Sequence, residues 1–294
     1  MPAEPTDATG PDVLVVTVAY RSSDAIGPFL DSIPDASPGL RIRTIVVDNA
    51  SADADATAEA VRSRGVDFVG LDRNLGYGGG IDAGIDAART DADFLLIVNP
   101  DVVFGKRAIT TLLDAATTTP GGGSFGPRIL TPAGEVYPSA RRFPRVGTGV
   151  GHALFGRVVP GNPWSRTYRG EFDDADRQRP TDWLSGACLL VRMSAYRGVG
   201  GFDHGYFMYF EDVDLGRRLG QAGWSNEYVP TATVTHVGAK STSTAPAKML
   251  RAHHRSAYRF LSRQYDRWYH APLRLALRTG LGIRAWWATR RSAS

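Results

Sequence analysis

Val13-Leu14-Val15-Val16-Thr17-Val18-Ala19 is a run of β-branched and apolar residues with one polar break, and it ends on Tyr20-Arg21. A strand with one wet face alternates polar and apolar residues. A run apolar on both faces belongs inside a sheet that is covered on both sides. Working outward, the same pattern recurs three times. TIVV closes Ile42–Val47, DFVGL fills Asp67–Leu71 and FLLIV fills Phe94–Val98. Between these runs lie helix-compatible segments, Asp24–Ile33, Ala52–Arg64 and Gly79–Arg89, each following Ser, Asp, Asn or Gly, which cap helices and build turns. Strand–helix alternation of this kind predicts an α/β fold with a mostly parallel, doubly wound sheet and right-handed crossovers. Ligands in such sheets collect beyond the carboxyl ends of the strands.

After Pro100 the pattern loosens. Lys106–Thr117 reads as a helix, 120–180 as long loops rich in Gly, Pro and Arg, and Trp183–Arg192 (WLSGACLLVR) as one strand. Asp212–Ala222 reads as a helix ending at Gly223, Tyr228–Val237 as a last strand, and the chain from Ala247 as helix broken near Pro272. The N-terminal MPAEPTDATGP has neither a basic start nor an apolar core, so the expectation is a disordered tail over 1–10 rather than a secretory signal. No apolar run has the length of a membrane-spanning helix. The single Cys188 excludes an internal disulfide and a cysteine-based zinc site, and it suits a reducing compartment.

Charge is unevenly placed. The 294 residues carry a net +4, yet 246–294 holds eleven Lys and Arg against one acid, Asp266. That segment is +10, which leaves −6 for the rest of the chain. An acidic body with a basic end is not a uniformly basic nucleic-acid binder, and no nucleic-acid partner is expected.

Chemistry-bearing residues gather at the predicted strand ends. Asp48-Asn49-Ala50-Ser51 follows the second strand and Asn99-Pro100-Asp101 the fourth; Asn74–Gly84 (NLGYGGGIDAG) follows the third. Asp and Asn also make ordinary βα turns, so each taken singly has a plain structural reading. The glycine segment fails as a dinucleotide fingerprint, because the third glycine position falls on Ile81. It still permits close approach of a nucleotide, or tight helix–sheet packing. Asp101 leaves a buried strand where a carboxylate can hold a hard divalent cation, Mg²⁺ or Mn²⁺. His236, at the end of the last strand, would complete that site as a neutral imidazole. In Tyr206–Leu219 (YFMYFEDVDLGRRL) four of the five residues before Glu211 are aromatic, and Glu211, Asp212 and Asp214 follow. Acids in a first helical turn complement the helix dipole, which accounts for Asp214. Carboxylates among aromatic rings are desolvated, which raises their proton affinity towards that of a general base.

The ordered set VTVAYRS, VVDNASAD, RNLGYGGGIDAGI, LLIVNPDV, WLSGACLLVR, GGFDHGYFMYFEDVDLGRRL and THVGAKS resembles the inverting family 2 glycosyltransferases, across Val13 to Gly238. The resemblance implies the GT-A fold, a mostly parallel central sheet flanked by helices, here with a C-terminal helical extension. It divides the chain into a catalytic domain over 11–245 and basic amphipathic helices over 246–294. Within the family the sequence is most similar to actinobacterial cell-wall rhamnosyltransferases. That implies a dTDP-rhamnose donor and an acceptor of N-acetylglucosamine on a polyprenyl diphosphate, at the cytoplasmic face of the plasma membrane. The resemblance further implies that Asp48 meets the pyrimidine, with Ala19, Tyr20 and Arg21 lining the nucleoside pocket and Asn74 and Gly76 beside base and ribose. Asp101 matches the last acid of the D-x-D-like metal motif, whose first position is Asn99 here, beside the donor nucleotide. His236 completes the metal site, Asp212 matches the base with Glu211 its neighbour, and Trp183, Ser185 and Gly186 lie where acceptor and donor sugar meet.

Other readings compete. A UDP-N-acetylglucosamine or UDP-galactofuranose donor fits the same motifs. A non-catalytic nucleotide-sugar-binding protein would not need Asp101, Asp212 and His236 together. A nucleotidyltransferase would want a glycine-rich loop that residues 17–24 (TVAYRSSD) lack. In the tail, Arg251, Arg255, Arg259, Arg263 and Arg267 recur every fourth residue, which makes an inclined stripe on a helix. Interleaved Leu, Tyr, Phe and Trp suit an anionic membrane surface. A homodimer interface is the main competitor for that stripe.

Overall fold

The computed structural model describes residues 12–144, 176–238 and 246–291, so the expected tail over 1–10 lies outside the described residues. Its first strand is the run that opened the sequence reading. β1 (Asp12–Ala19) is buried from Val13 to Ala19 because it is paired on both sides and covered on both faces. It runs parallel to β2 (Arg41–Asp48) and to β4 (Phe94–Val98), and β2 runs parallel to β3 (Asp67–Gly70). The connecting helices are α1 (Ser23–Ala36), α2 (Ala54–Arg62) and α3 (Gly76–Ala88). One apolar core packs α1, α2 and α4 (Ala108–Thr118) on one face of the sheet. A second packs α3 with α5 (Met193–Gly198) and α6 (Glu211–Gln221) on the other.

The glycines of α3 let that helix sit close to the sheet. A Cβ at Gly80 would stand 2.8 Å from a Val18 methyl, and one at Gly84 2.5 Å from a Val16 methyl. Tight helix–sheet packing therefore accounts for these two positions of the NLGYGGGIDAG segment.

Three sequence expectations are corrected in the second half. The stretch 120–180 is not all loop. Gly122–Leu130 is strand β6, set inside the sheet between β11 (Cys188–Arg192) and β12 (Ser225–His236). Its glycines are there for space: a Cβ at Gly123 would meet Trp224 at 2.6 Å, and one at Gly126 would meet Leu184 at 2.8 Å. The single strand expected over Trp183–Arg192 is broken. Trp183–Leu184 (β10) pairs with Ala140–Arg141 (β8) in a small separate sheet, and Ser185-Gly186-Ala187 then carries the chain back into β11. The helical break near Pro272 falls earlier. α7 (Pro246–Gln264) ends before a 3₁₀ turn at Trp268–His270, and Pro272 sits in the first turn of α8 (Ala271–Arg291), where its missing N–H costs nothing.

Sheet order is β3-β2-β1-β4-β11-β6-β12-β5, with β11 antiparallel to β4 and β6, and β5 (Val102–Phe104) antiparallel to β12. Short strands β7 (Val136–Tyr137) and β9 (Arg179–Thr181) add to β6 and β12.

The basic stripe is not wholly exposed, either. α7 lies against the body through Phe260, which is fully buried among Tyr206, Phe210, Val213, Phe143 and Trp183. Arg259 and Arg263 both pair with Asp203, and the Ser256 hydroxyl donates to the Met208 carbonyl at 2.9 Å. The −6 body thus receives part of the +10 segment directly. Arg251, Arg255 and Arg267 stay exposed, as do Trp268, Tyr269 and Leu275. Among the described residues no helix is long and apolar enough to cross a membrane.

Candidate active site

The carboxyl ends of β1, β2 and β4 share one edge, as parallel pairing requires. Ala19 is in register with Asp48, and the Asn49 amide donates to the Ala19 carbonyl at 2.9 Å. Tyr20 and Arg21 continue from that point, with the Arg21 guanidinium 5.6 Å from the Tyr20 ring centre and Arg21 itself at φ 55°. Asp48 is buried and closes its own turn. The Ser51 amide donates to its Oδ1 at 2.8 Å and the Ser51 hydroxyl to its Oδ2. Each carboxylate oxygen keeps a second lone pair for a ligand.

Asn49, which the sequence reading did not single out, ties this edge to the glycine segment. Its Oδ1 accepts from the Leu75 amide at 2.8 Å and its Nδ2 donates to the Gly76 carbonyl at 2.9 Å. Asn74 Oδ1 accepts from the Gly76 amide at 2.9 Å. Gly76 adopts φ 78°, and a Cβ there would strike the Phe207 carbonyl oxygen at 2.3 Å. No other residue fits this approach.

The fourth strand delivers a second cluster. Asn99-Pro100-Asp101 turns the chain from β4 into β5, and the β5–β12 register puts Val102 opposite His236. Asp101 Oδ1 and His236 Nε2 stand 3.0 Å apart, and Asn99 Nδ2 is 3.3 Å from the same nitrogen. The Val237 amide donating to the Asp101 carbonyl at 3.0 Å holds the two segments together. Among the described residues no three His, Cys, Asp or Glu gather as a metal cluster. This group is one carboxylate, one imidazole and one amide.

The third cluster is at the start of α6. Tyr209 and Phe210 take φ 66° and 67°, two consecutive non-glycine residues in the left-handed region, at a cost of order 1–3 kcal/mol each. The reversal sets Glu211 and Asp212 in the first helical turn. Asp212 Oδ2 accepts from the Gly186 amide at 3.0 Å and Oδ1 from the Val213 amide at 2.8 Å. The Tyr77 hydroxyl, another residue the sequence reading passed over, donates to the Gly186 carbonyl at 2.8 Å. Burial pushes the Asp212 carboxyl above the usual carboxylate range, while those two amides and the charge of Arg141 pull against it. Glu211 is buried, its Oε2 has no partner, and burial with the Asp212 charge beside it raises its pKa to about 8. Asp214 belongs to the frame, not the site. It is fully buried against Arg218 at 2.7 Å, Arg217 at 3.2 Å and the Tyr206 hydroxyl at 3.4 Å.

The loop Ser185-Gly186-Ala187 joins the second and third clusters. Gly186 binds Asp212 through its amide, and the Ala187 carbonyl accepts from the Asn99 amide at 2.9 Å. Ser185 is anchored to the Ser139 carbonyl at 2.8 Å, and the Trp183 indole donates to the Arg142 carbonyl at 3.1 Å. Arg141, hidden from the sequence reading inside a loop-like stretch, lies across from Trp183 in the β8–β10 pair.

The chain is similar to known proteins in both sequence and fold. Residues 11–271 match the family described as "Glycosyltransferase like family 2". The chain is 44% identical to the N-acetylglucosaminyl-diphospho-decaprenol L-rhamnosyltransferase of Mycobacterium tuberculosis, over 93% of this chain and 92% of that one. It is 29% identical to the rhamnosyltransferase WbbL of Escherichia coli over 59% of this chain and 63% of that one. Among solved structures it is similar to the mannosyltransferase PcManGT of Pyrobaculum calidifontis, held with GDP-Man and Mn²⁺, with a TM-score of 0.58, 16% identity, and coverage of 98% of this chain and 74% of that one. At that identity the structural likeness speaks for the fold.

Proposed function

The chain belongs to the family 2 glycosyltransferases, with their GT-A fold, and from that premise we propose that it moves L-rhamnose from dTDP-β-L-rhamnose to the N-acetylglucosamine of N-acetylglucosaminyl-diphosphoryl-polyprenol. The observation that carries this reading is the 44% identity, along nearly the whole of both chains, to an enzyme named for that transfer.

The chemistry follows from the clusters. The acceptor hydroxyl is a weak nucleophile, and Asp212 takes its proton as the oxygen attacks the anomeric carbon. That carbon's bond to the diphosphate breaks, dTDP leaves with the electron pair, and one displacement inverts the centre. The amides of Gly186 and Val213 hold both Asp212 oxygens, so the base is aimed before the acceptor arrives. Tyr77 fixes the Gly186 peptide from the other side. Glu211 stands next to the base, buried with its Oε2 unpartnered, and that burial raises its proton affinity. Asp48 meets the pyrimidine, Ala19, Tyr20 and Arg21 line the nucleoside pocket, and Asn74 and Gly76 lie by base and ribose. Trp183, Ser185 and Gly186 flank the two sugars.

Asp101, His236 and Asn99 offer oxygen and nitrogen donors that would suit a Mg²⁺ or Mn²⁺ ion, with too few protein ligands to hold it unless the donor diphosphate and water added theirs. Such an ion, when bound, supplies Lewis-acid stabilisation of the leaving diphosphate.

The test is transfer to GlcNAc-diphosphoryl-lipid from a panel of dTDP-rhamnose, UDP-N-acetylglucosamine and UDP-galactofuranose. Rhamnose is expected to be the preferred sugar by a wide margin. Faster transfer from either UDP sugar would overturn the donor assignment.

The same reading places the protein on the anionic inner face of the membrane, where a polyprenyl acceptor resides. Exposed Arg251, Arg255, Arg267, Arg278, Trp268, Tyr269 and Leu275 supply the charge and the apolar wedge. In vesicle flotation the full chain is expected to float with anionic lipid and to sink with neutral lipid. Sinking with both, together with a dimer by light scattering, would assign this face to a second copy instead.

A further inference from the structure

Arg141 has no part in the donor-side clusters, yet it stands beside the base. β8 and β10 pair antiparallel with Arg141 directly opposite Trp183, and the loop that follows β10 is the one whose Gly186 amide holds Asp212. The guanidinium carbon lies 5.4 Å from the Tyr137 ring centre and 5.7 Å from that of Trp183. Its Nε donates to the Pro138 carbonyl at 2.6 Å. These contacts hold the guanidinium beside two aromatic rings and by its Nε. Among the described residues neither terminal nitrogen meets an acceptor and no carboxylate pairs with it, although Asp212 lies near enough to feel its charge. In a body whose charge is −6 outside the C-terminal segment, an arginine held by these contacts, with both terminal nitrogens open among the described residues, has the makings of an anion site.

Two anions belong to the proposed reaction. The donor diphosphate has the Asp101–Asn99–His236 end of the site. The acceptor diphosphate, one sugar ring away from the hydroxyl that Asp212 must deprotonate, has no other cation assigned to it. We propose that Arg141 is the acceptor-diphosphate contact, a bidentate guanidinium clamp that delivers the acceptor hydroxyl to Asp212. This rests on the reading of the chain as a transferase to a diphosphate-linked sugar, and it adds the residue that selects acceptors carrying that diphosphate.

The test compares Arg141→Gln and Arg141→Lys with the unaltered chain, each checked for an unchanged melting temperature. Binding of GlcNAc-diphosphoryl-lipid is measured by calorimetry. KM is measured for that acceptor and for a neutral alkyl glycoside of N-acetylglucosamine. Loss of a charge-assisted pair of hydrogen bonds is expected to weaken binding and raise the diphosphate-acceptor KM roughly 10- to 100-fold in Arg141→Gln. Lysine should restore part of it, as a point charge without the fork. The KM for the neutral glycoside and the affinity for dTDP should stay put. Removing Arg141 also changes the charge felt by Asp212, but that acts on turnover of both acceptors alike, so the ratio of the two KM values is the decisive readout.

Equal changes for both acceptors would reduce Arg141 to a brace for Trp183 and overturn the proposal. Weakened dTDP binding would assign it to the donor instead, with the same consequence. If the unaltered chain binds GlcNAc-diphosphoryl-lipid, and Arg141→Gln binds it 10- to 100-fold less well, the proposal stands even where no rhamnose is transferred. In that case only the donor reading fails. No binding by the unaltered chain would remove both.

Discussion

Asp212→Asn is expected to lower the rate of rhamnosyl transfer by about 10²–10⁴-fold, the usual worth of a general base, and to leave dTDP affinity within about twofold. The asparagine amide is nearly isosteric, and its one oxygen can still accept from either the Gly186 or the Val213 amide. The other amide then faces the asparagine NH2 and loses its acceptor, so an unchanged melting temperature beside unchanged dTDP affinity is what assigns the loss to chemistry. Glu211 cannot step in. Its carboxyl is buried with Oε2 unpartnered. Burial is the largest cause of its raised proton affinity and persists when the Asp212 charge is gone. The amides of Gly186 and Val213 aim residue 212, not Glu211. The two residues differ in partners as well as in depth, Glu211 being buried and Asp212 partly exposed. Asp212 is held by two amides with Arg141 nearby, and Glu211 has a buried oxygen with no partner at all. Burial raises both carboxyls and they stand side by side, so the acid-side fall of kcat/KM is expected to report the pair. Turnover by Asp212→Asn near that of the unaltered chain would sink the assignment of the base.

The parts of this molecule legible in the sequence are those whose physics is local. The first four strands are apolar on both faces because they are buried on both, and a run such as Phe94–Val98 says so without help. Strand β6 says the opposite. Its GGSFGPRIL has poor strand propensity, and Gly123 and Gly126 are explained by Trp224 and Leu184, which reach it from remote parts of the chain. Arg141 was invisible for a related reason. An arginine in a loop-like stretch is unremarked until β8 and β10 pair and put it across from Trp183. The arginine stripe of α7 shows the limit of periodicity. Spacing places Arg251 and Arg259 on one side of a helix, but it cannot reveal that Asp203, 56 residues before Arg259, will neutralise one and leave the other exposed. Asn49 and Tyr77 stood inside motifs that were read, DNAS and LGYGGG, and yet their roles depend on which backbone groups lie opposite them.

Asp101→Ala is expected to remove the metal dependence of donor binding and weaken dTDP affinity, in the presence of Mn²⁺, by at least about tenfold. Loss of a supporting partner around a metal ligand already costs about 10–100-fold in metal affinity, and Asp101 would be a ligand itself. The site's composition sharpens the expectation. With Asn99 at the first position of the acidic motif, the cluster holds one carboxylate and no second negative charge. Such a site should bind a divalent cation weakly alone and well only when a diphosphate supplies further oxygens. Titrations of dTDP with Mn²⁺ and with chelator should therefore differ strongly in the unaltered chain and coincide in Asp101→Ala. Asn99→Asp restores the missing charge beside His236, and it should tighten Mn²⁺ binding in the absence of nucleotide. If the unaltered chain binds dTDP equally well with and without metal, the Asp101–His236 pair is an ordinary hydrogen-bonded contact between the β4–β5 turn and β12, and the stabilisation of the leaving group must come from elsewhere in the site.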